Sequence, residues 1–195
     1  MKQLIATISL LLLPMTANAE EWYAGIAGGS TNLDFGITDV VGATADKTGT
    51  GASVFIGKQV NEWFSIDGFY TDLGEGTVSG ENGDSYKTRS GSGQFLSTGK
   101  DVLSVKTIGF VGKAGMSNGR FRTYLKGGYH FWDKKVVVNR AGVITSAEFD
   151  GDSTVWGVGT EYKMTEKTAL LLGYDNYKLG GDSATFFHAG VLFKF

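Results

Sequence analysis

The sequence predicts an all-β fold, namely an eight-stranded antiparallel up-and-down transmembrane β-barrel. The first observation is the alternation of segment 187–195, where one register is apolar throughout and the other is mixed. The apolar register consists of Phe187, Ala189, Val191, Phe193 and Phe195. Because side chains alternate across a strand, this segment predicts one face toward lipid and one toward a polar interior. Taken alone, it also suits an amphipathic strand of a soluble β-sandwich.

The second observation is the composition. The chain has 195 residues, among them 30 Gly, one Pro (Pro14) and no Cys. Since Pro cannot donate a backbone hydrogen bond, its absence after residue 14 suits a sheet in which every N–H is paired at membrane depth. No stretch of 18 apolar residues occurs after residue 19, so the sequence predicts no transmembrane helix. The absence of Cys excludes a disulfide framework.

The third observation is that tight and long connections alternate along eight predicted strands. The strands are Glu21–Ser30, Gly51–Val60, Trp63–Leu73, Val102–Ala114, Arg120–Asp133, Ser153–Met164, Lys167–Tyr177 and Ala184–Phe195. Tight turns are predicted at Asn61-Glu62, Met116-Ser117-Asn118-Gly119 and Thr165-Glu166. Polar loops are predicted at Thr31–Thr50, Gly74–Asp101, Lys134–Asp152 and, much shorter, Lys178–Ser183. Such segregation is typical of outer-membrane barrels, whose long loops lie outside the cell.

The N-terminal region has the pattern of a secretory signal peptide. Lys2 precedes an apolar run over residues 4–13, which is too short to span a bilayer, and an A-x-A motif occupies residues 17–19. We therefore expect residues 1–19 to be removed and residues 20–195 to form a single barrel domain.

Alternation within the strands predicts which side chains point inward. The predicted inward set is Tyr23, Phe55, Asp67, Phe69, Arg122, Tyr124, Lys126, His130, Trp132, Glu161, Asp175 and His188. The fourth strand allows two registers, with either Lys113 or Lys106 inside. We favour Lys113 inside, because this register places Ile108 and Phe110 against lipid.

Aromatic residues cluster near the predicted strand ends, as in the two girdles of a membrane barrel. The periplasmic girdle is predicted to contain Trp22, Phe64, Phe121, Tyr162, Phe193 and Phe195. The outer girdle is predicted to contain Tyr70, Tyr129, Phe131, Trp156, Tyr174 and Phe187.

Several stretches resemble the OmpA-like family of eight-stranded outer-membrane barrels, which includes OmpX- and Ail-type proteins. Segment 57–74, with its Asn61-Glu62-Trp63-Phe64 turn, is similar to the second hairpin of that family. Segment 127–132 resembles the fifth strand, and Gly159-Thr160-Glu161-Tyr162 with Gly173-Tyr174 resembles the sixth and seventh. The resemblance does not extend to the peptidoglycan-binding domain of full-length OmpA, so we expect no cell-wall anchoring.

The resemblance implies that acids and bases inside the barrel form a network that plugs the lumen. Asp67 and Glu161 match the two acidic family positions, and Lys113 lies near the family's interior Lys. Leu171 stands where the family has an interior Arg, and we expect Arg122 or Lys126 to take its place. The predicted interior charge network is Asp67, Lys113, Arg122, Lys126, Glu161 and Asp175. Within it, Arg122 and Glu161 are expected to pair, because they lie on adjacent strands at a similar height.

The resemblance also implies that the apolar C-terminal residues are a signal for barrel assembly. These residues are Val191, Phe193 and Phe195. Deleting the last of them is therefore expected to impair insertion.

Catalysis and metal binding are not indicated. A small barrel can carry a Ser-His-acid set on its lipid-facing wall, but the only two histidines, His130 and His188, are predicted to point inward. Two histidines without cysteine make no recognisable metal-ligand spacing. We therefore expect no enzymatic activity, no catalytic residue, no metal site and no cofactor.

The formal net charge of −2 argues against nucleic-acid binding. We predict a structural, envelope-stabilising protein of the bacterial outer membrane, with both termini in the periplasm and an interior filled by side chains. The alternative is a surface adhesion or host-interaction protein of the OmpX/Ail kind, acting through its loops on a host or surface ligand. A narrow ion channel ranks third and a lipid A-modifying enzyme fourth.

The expected partners follow from this location. They are outer-membrane lipid, lipopolysaccharide phosphates at the basic pair Lys134-Lys135, and the barrel-assembly machinery and periplasmic chaperones during biogenesis.

Overall fold

The computed structural model describes residues 22–34, 36–89, 91–140 and 143–195. The predicted signal peptide 1–19 lies outside these ranges. The described residues form twelve strands: β1 (Trp22–Asp34), β2 (Ile37–Val41), β3 (Thr44–Asp46), β4 (Thr48–Gln59), β5 (Phe64–Gly80), β6 (Ser85–Thr88), β7 (Gly91–Gln94), β8 (Gly99–Asn118), β9 (Phe121–Arg140), β10 (Val143–Lys163), β11 (Thr168–Leu179) and β12 (Asp182–Lys194). No helix in this part of the chain is long and apolar enough to cross a membrane.

Eight long strands form a closed antiparallel ring in the order β1, β4, β5, β8, β9, β10, β11 and β12. The first and last of them pair from Tyr23↔Lys194 to Asp34↔Ser183, which closes the ring. In a closed ring each strand has two neighbours, so the backbone groups at membrane depth bond within the sheet. The predicted eight-stranded up-and-down barrel is confirmed.

Burial alternates along the ring strands as the sequence predicts. On β9, Tyr124 and His130 are buried, whereas Leu125 and Phe131 are more than half exposed on the opposite face. On β8, Lys113 is only 4% exposed. Lys113 therefore lies on the buried face of β8, as Tyr124 and His130 do on β9.

Tight turns close the periplasmic end. The side chain of Asn61 accepts a hydrogen bond of 2.8 Å from the backbone N–H of Phe64, which fixes the β4–β5 turn. The β8–β9 turn lies further along the chain than predicted, because β8 continues through Asn118. Its two-residue loop is Gly119-Arg120, and Gly119 has a φ of 62°, a conformation that favours glycine at this hairpin position.

The outer end differs from the sequence prediction. Residues 134–140 and 143–152 are not loop segments, since β9 and β10 continue through them and stay paired up to Arg140↔Val143. The run Val136-Val137-Val138 consists of β-branched residues, which suit an extended strand. β5 and β8 also extend outward and remain paired. We call these extensions, residues 75–80, 99–104, 134–140 and 143–152, the fin.

The other two predicted long loops also contain strands. β3 pairs with β5, while β2, β6 and β7 form a separate antiparallel sheet, here called the loop sheet. A small apolar cluster beneath it contains Phe95, which is fully buried, and Val78 of the fin. The outer segments are therefore ordered by a core of their own.

Candidate functional site

The barrel interior holds three groups of paired charges, of which the first lies nearest the periplasmic turns. Arg122 and Glu161 are register partners on β9 and β10. The guanidinium Nη1 lies 3.5 Å from Glu161 Oε1, and both side chains are about nine-tenths buried. Arg122 Nη2 also donates to Ser65 Oγ at 3.4 Å. The pair expected from the sequence thus lies within ion-pair distance.

The second group centres on Lys113. Its Nζ lies 2.5 Å from Asp67 Oδ2, and the two side chains are 5% and 3% exposed. The Tyr23 hydroxyl donates to the same carboxylate. The ammonium also lies 4.9 Å from the ring centre of Tyr124 and 5.1 Å from that of Phe55, within cation–π range. Aromatic faces therefore replace part of the hydration that burial removes.

The third group centres on Asp175, which is 2% exposed. Its Oδ2 accepts a hydrogen bond of 2.7 Å from Lys126 Nζ and lies 3.2 Å from His188 Nε2. The Tyr177 hydroxyl donates to the same oxygen at 3.4 Å. The six charges singled out in the sequence therefore lie inside the barrel as three acid–base pairs.

The interior between the second and third groups is nearly full. A void of about 30 Å³ separates Asp67 and Lys113 from Lys126 and Asp175. This volume has room for one or two water molecules. Each charge has an opposite charge beside it, which offsets much of the cost of removing it from water.

Inward glycines create the space for these charges. A Cβ at Gly57 would overlap the Asp67 carboxylate, and one at Gly157 would overlap that of Asp175. The high Gly content therefore serves interior packing as well as the turns.

An apolar layer closes the interior above the charges, toward the outer end. We call it the apolar plug; its members include Leu33, Leu73, Val105, Trp132, Leu179 and Phe186. Leu33, Leu73 and Phe186 are at most 1% exposed. Trp132 belongs to the predicted inward set, but the layer as a whole was not predicted, because Leu33 and Leu179 lie in segments that the sequence assigns to loops.

The two histidines point inward, as predicted. His130 is fully buried, and its Nδ1 lies 2.6 Å from Thr107 Oγ1. His188 is 5% exposed and contacts Asp175. Both are enclosed by the wall and the apolar plug, where a lipid ester does not reach them.

Leu171 lies inside the barrel and is 5% exposed. It packs with Tyr23 and Leu192 in a second apolar cluster. The position where the OmpA-like family carries an Arg is therefore filled by hydrocarbon in this chain, and the two nearby bases, Arg122 and Lys126, each have an acidic partner of their own.

A fourth cluster of charges, the rim cluster, ties the outer segments together. Arg89 contacts the Asp34 carboxylate and donates to the carbonyl of Gly181 at 2.8 Å. Lys134 Nζ donates to Asp182 Oδ2 at 3.0 Å, and Lys47 Nζ lies 3.8 Å from Asp34 Oδ1. The sequence analysis did not predict these long-range partners.

The basic pair proposed to meet lipopolysaccharide is engaged within the chain. Lys134 pairs with Asp182, and Lys135 Nζ lies 3.1 Å from Glu148 Oε1. The latter pair is exposed, with side-chain exposures of 51% and 74%. Only Lys135 therefore faces the surroundings as the lipopolysaccharide hypothesis requires.

Asp34 is expected to titrate below the usual range of a carboxyl group. Partial burial works to raise the pKa of Asp34, but the Gly36 N–H and the Arg89 guanidinium outweigh it and lower that pKa. The ionised Asp34 therefore contributes its full stabilisation of the folded state above the usual carboxyl pKa of about 4. This contribution is lost as the pH falls below that value and through the lower pKa of Asp34 in the folded state. Replacing Arg89 by Ala is expected to raise the titration midpoint of Asp34 toward the usual carboxyl value.

The Gly36 amide reports this titration, because it donates to Asp34 Oδ1 at 3.0 Å. Its NMR shift is followed from pH 6 to pH 2 in the wild type, in Arg89→Ala and in Lys87→Ala, whose ion pair with Asp39 is exposed. The control variant is expected to keep the wild-type midpoint. An Arg89→Ala midpoint equal to that of the wild type would contradict the assignment.

The lipid-facing wall carries the aromatic residues assigned to the girdles. Phe121 and Tyr162 have ring centres 5.0 Å apart near the periplasmic turns, and Trp156 and Tyr174 lie 6.1 Å apart further out. The backbone N–H of Phe195 donates to the carbonyl of Trp22 at 3.0 Å. Phe193 and Phe195 project outward and are about half exposed.

Comparison with known proteins gives a family and several structural neighbours. Residues 4–195 match the sequence profile of the outer membrane protein β-barrel domain. No curated protein sequence matches the chain.

The solved structures that resemble this chain include several bacterial outer-membrane barrels. Ail of Yersinia pestis is 13% identical with a TM-score of 0.54, and the alignment covers 90% of this chain and 99% of Ail. Neisserial surface protein A is 16% identical with a TM-score of 0.55, covering 89% and 97% of the two chains. OprG of Pseudomonas aeruginosa is 12% identical with a TM-score of 0.52, covering 90% and 97%. At these identities the likeness concerns the fold.

Proposed function

The chain belongs to the outer membrane protein β-barrel domain family, and we propose that it serves the bacterial outer membrane as a structural, envelope-stabilising protein. The observation that carries the proposal is the filled interior. Three acid–base pairs are stacked below an apolar plug whose members Leu33 and Leu73 are almost fully buried. A barrel of eight strands is just wide enough to be filled by its own side chains. With its interior filled, such a barrel serves as a structural element of the membrane.

The envelope role is tested by deleting the gene and complementing it. Cells without the protein are expected to leak periplasmic enzymes and to become sensitive to detergent with a chelator. The wild-type protein, and a variant with residues 137–146 replaced by two Gly, are both expected to restore the barrier. Failure of the deletion to change either readout would overturn the proposal.

Planar-bilayer recording separates this role from an ion channel. The wild-type protein is expected to give no stable conductance steps, because the apolar plug leaves no polar path across the outer half. The double variant Leu33→Ala/Leu73→Ala, which removes two plug side chains, is expected to conduct more than the wild type. Stable wild-type steps that the variant does not change would favour a channel by another route. Lipid A mass spectra with and without the protein test an enzymatic role.

We also propose that the chain is delivered by a signal peptide over residues 1–19, handled by periplasmic chaperones, and inserted by the barrel-assembly machinery through Val191, Phe193 and Phe195. Deleting Phe195 is expected to lower the surface level several-fold, since the half-exposed terminal aromatic completes the apolar face of the signal. Quantitative immunoblots of outer-membrane fractions measure this effect. Refolding yield of the same variant in lipid vesicles is the control, because it needs no assembly machinery; wild-type surface levels would contradict the signal.

A second function, surface adhesion, is favoured by the fin. β10 pairs with β11 only from Val155 onward, so residues 143–154 form an edge that pairs with β9 alone. Val143 and Ile144, near the tip, are 66% and 68% exposed. Exposed strand edges in a projecting element are ready templates for another chain. Ail of Yersinia pestis has been solved in complex with the heparin analogue sucrose octasulfate, so one barrel of this fold binds a ligand of this kind.

The same 137–146 replacement distinguishes the two functions. If the fin is an adhesin, cells carrying the shortened variant are expected to lose adherence to host cells while keeping their barrier. Unchanged adherence would remove the adhesion function and leave the structural one.

A further inference from the structure

A cavity of about 240 Å³ opens at the outer end, between the inner face of the fin and the loop sheet. Its walls are mainly apolar: Val78, Leu103, Val136 and Phe149 come from the fin, and Ile37 and Tyr86 from the loop sheet. The cavity lies beyond the outer aromatic girdle, on the side that faces water. It is therefore separate from the filled interior below the apolar plug.

An apolar concavity in contact with water is costly to maintain. Phe149 is 51% exposed at its edge, although an aromatic side chain gains most when it is fully covered. Apolar pockets with a few convergent polar groups are the usual form of small-molecule sites. The elements that build this pocket are held in place by strand pairing and by the rim cluster, so the cavity is preformed.

The polar groups at the cavity are already paired. Lys134 Nζ lies 3.0 Å from Asp182 Oδ2 and 5.7 Å from the ring centre of Phe149. Asp182 also faces Arg89, with Nη1 at 3.9 Å from Oδ1. The carboxylates of Asp182 and Asp101 and the ammonium of Lys134 can accept or donate a hydrogen bond, but the lysine has no spare charge for an anionic ligand.

We propose that this cavity binds a small, uncharged and largely apolar molecule of one or two rings, with at most one hydrogen-bonding group directed at Lys134 or Asp182. The size supports this class, since an apolar cavity of about 150 Å³ in another protein accommodates benzene. The ligand enters from the aqueous side, past Phe149. Burial of its apolar surface against Val78 and Val136 drives binding, and the paired rim disfavours a charged ligand.

The probe for the test is indole, which has two fused rings and one N–H. Isothermal titration of the full chain in lipid nanodiscs, with empty nanodiscs as the blank, is expected to show saturable one-site binding. Indole-3-acetate is expected to bind at least tenfold more weakly, because its carboxylate would lie near Asp101 and Asp182. Equal affinity for both probes would overturn the proposal that the ligand is uncharged. If the full chain gives only the non-saturable partitioning that empty nanodiscs also show, the proposed site is overturned.

Two matched variants place the binding in the cavity. Val136→Trp fills it from β9 and is expected to weaken indole binding at least tenfold. Ser146→Trp adds the same side chain on the outer face of the fin and is expected to leave affinity within twofold of the wild type. Unchanged binding in Val136→Trp would overturn the assignment.

A measurement on the wild type covers the case in which Val136→Trp does not fold. With methyl-labelled Val and Leu, indole is expected to show nuclear Overhauser contacts to Leu103 and Val136. Saturable binding without these contacts would also overturn the location.

Discussion

Replacing Asp67 by Ala is expected to lower the free energy of unfolding of the barrel by about 3–5 kcal/mol, the usual cost of leaving one member of a buried ion pair alone. The Lys113 ammonium is 4% exposed and lies among aromatic rings, so it would lose its counter-charge without gaining water. Guanidinium unfolding in lipid vesicles measures the loss. On gels, a smaller fraction of the unboiled variant is expected to run at the mobility of the folded barrel.

Two further variants separate lost pairing from general damage. The double variant Asp67→Leu/Lys113→Met removes both charges and is expected to recover at least half of the lost stability, because apolar replacement of a complete buried pair is often neutral. Glu148→Ala breaks the exposed pair with Lys135 and is expected to cost no more than about 1 kcal/mol. If the single and double interior variants are equally unstable, the pair is not what stabilises this layer.

Replacing Ala189 by Arg is expected to cost roughly 2–4 kcal/mol, the range for a basic side chain on the lipid face near mid-membrane. Ala189 is exposed on β12 and pairs with Gly28 and Leu172, far from both girdles. A guanidinium at this depth cannot easily reach the headgroups. Folding yield and unfolding free energy in vesicles both test this expectation.

Ala114→Arg is the matched control for depth. Ala114 is also exposed on the wall, but it pairs with Phe64 at the periplasmic girdle. The cost near an interface falls to about 0–1 kcal/mol. Equal losses for the two variants would mean that bulk, and not depth in the lipid, determines the penalty, and would place the β12 register in doubt.

The sequence predicts the membrane wall well, because lipid on one side and a packed lumen on the other leave a period of two in each strand. This period sufficed to choose the register of β8, where Ile108 and Phe110 required lipid and so placed Lys113 inside. It also brought Arg122 and Glu161 to one height, since a tight-turn barrel constrains how far adjacent strands can shift.

The outer end was less predictable, because beyond the membrane there is no lipid on one face of the strand to enforce a period of two. The outer part of β9, residues 134–140, contains lysines and valines that no longer alternate strictly, so its polar start resembles a loop in the sequence. The partner of Arg89 is 55 residues away in sequence, and nothing in local composition favours Asp34 over the nearer Glu81 or Asp84. The apolar plug was not predicted for the same reason, since Leu33 and Leu179 lie beyond the expected strand ends.

The seam between β1 and β12 governs the order in which the barrel can be completed. Its partners Asp34 and Ser183 are roughly 150 residues apart, so joining them directly would cost about 4–5 kcal/mol of loop-closure entropy. If the intervening strands pair first, most of that entropy cost is distributed over short hairpins. The seam then closes last, at a small remaining cost in loop-closure entropy. Until then β1 and β12 each present a free edge to other chains. Protection from aggregation is thus needed for the whole time before the final strand docks.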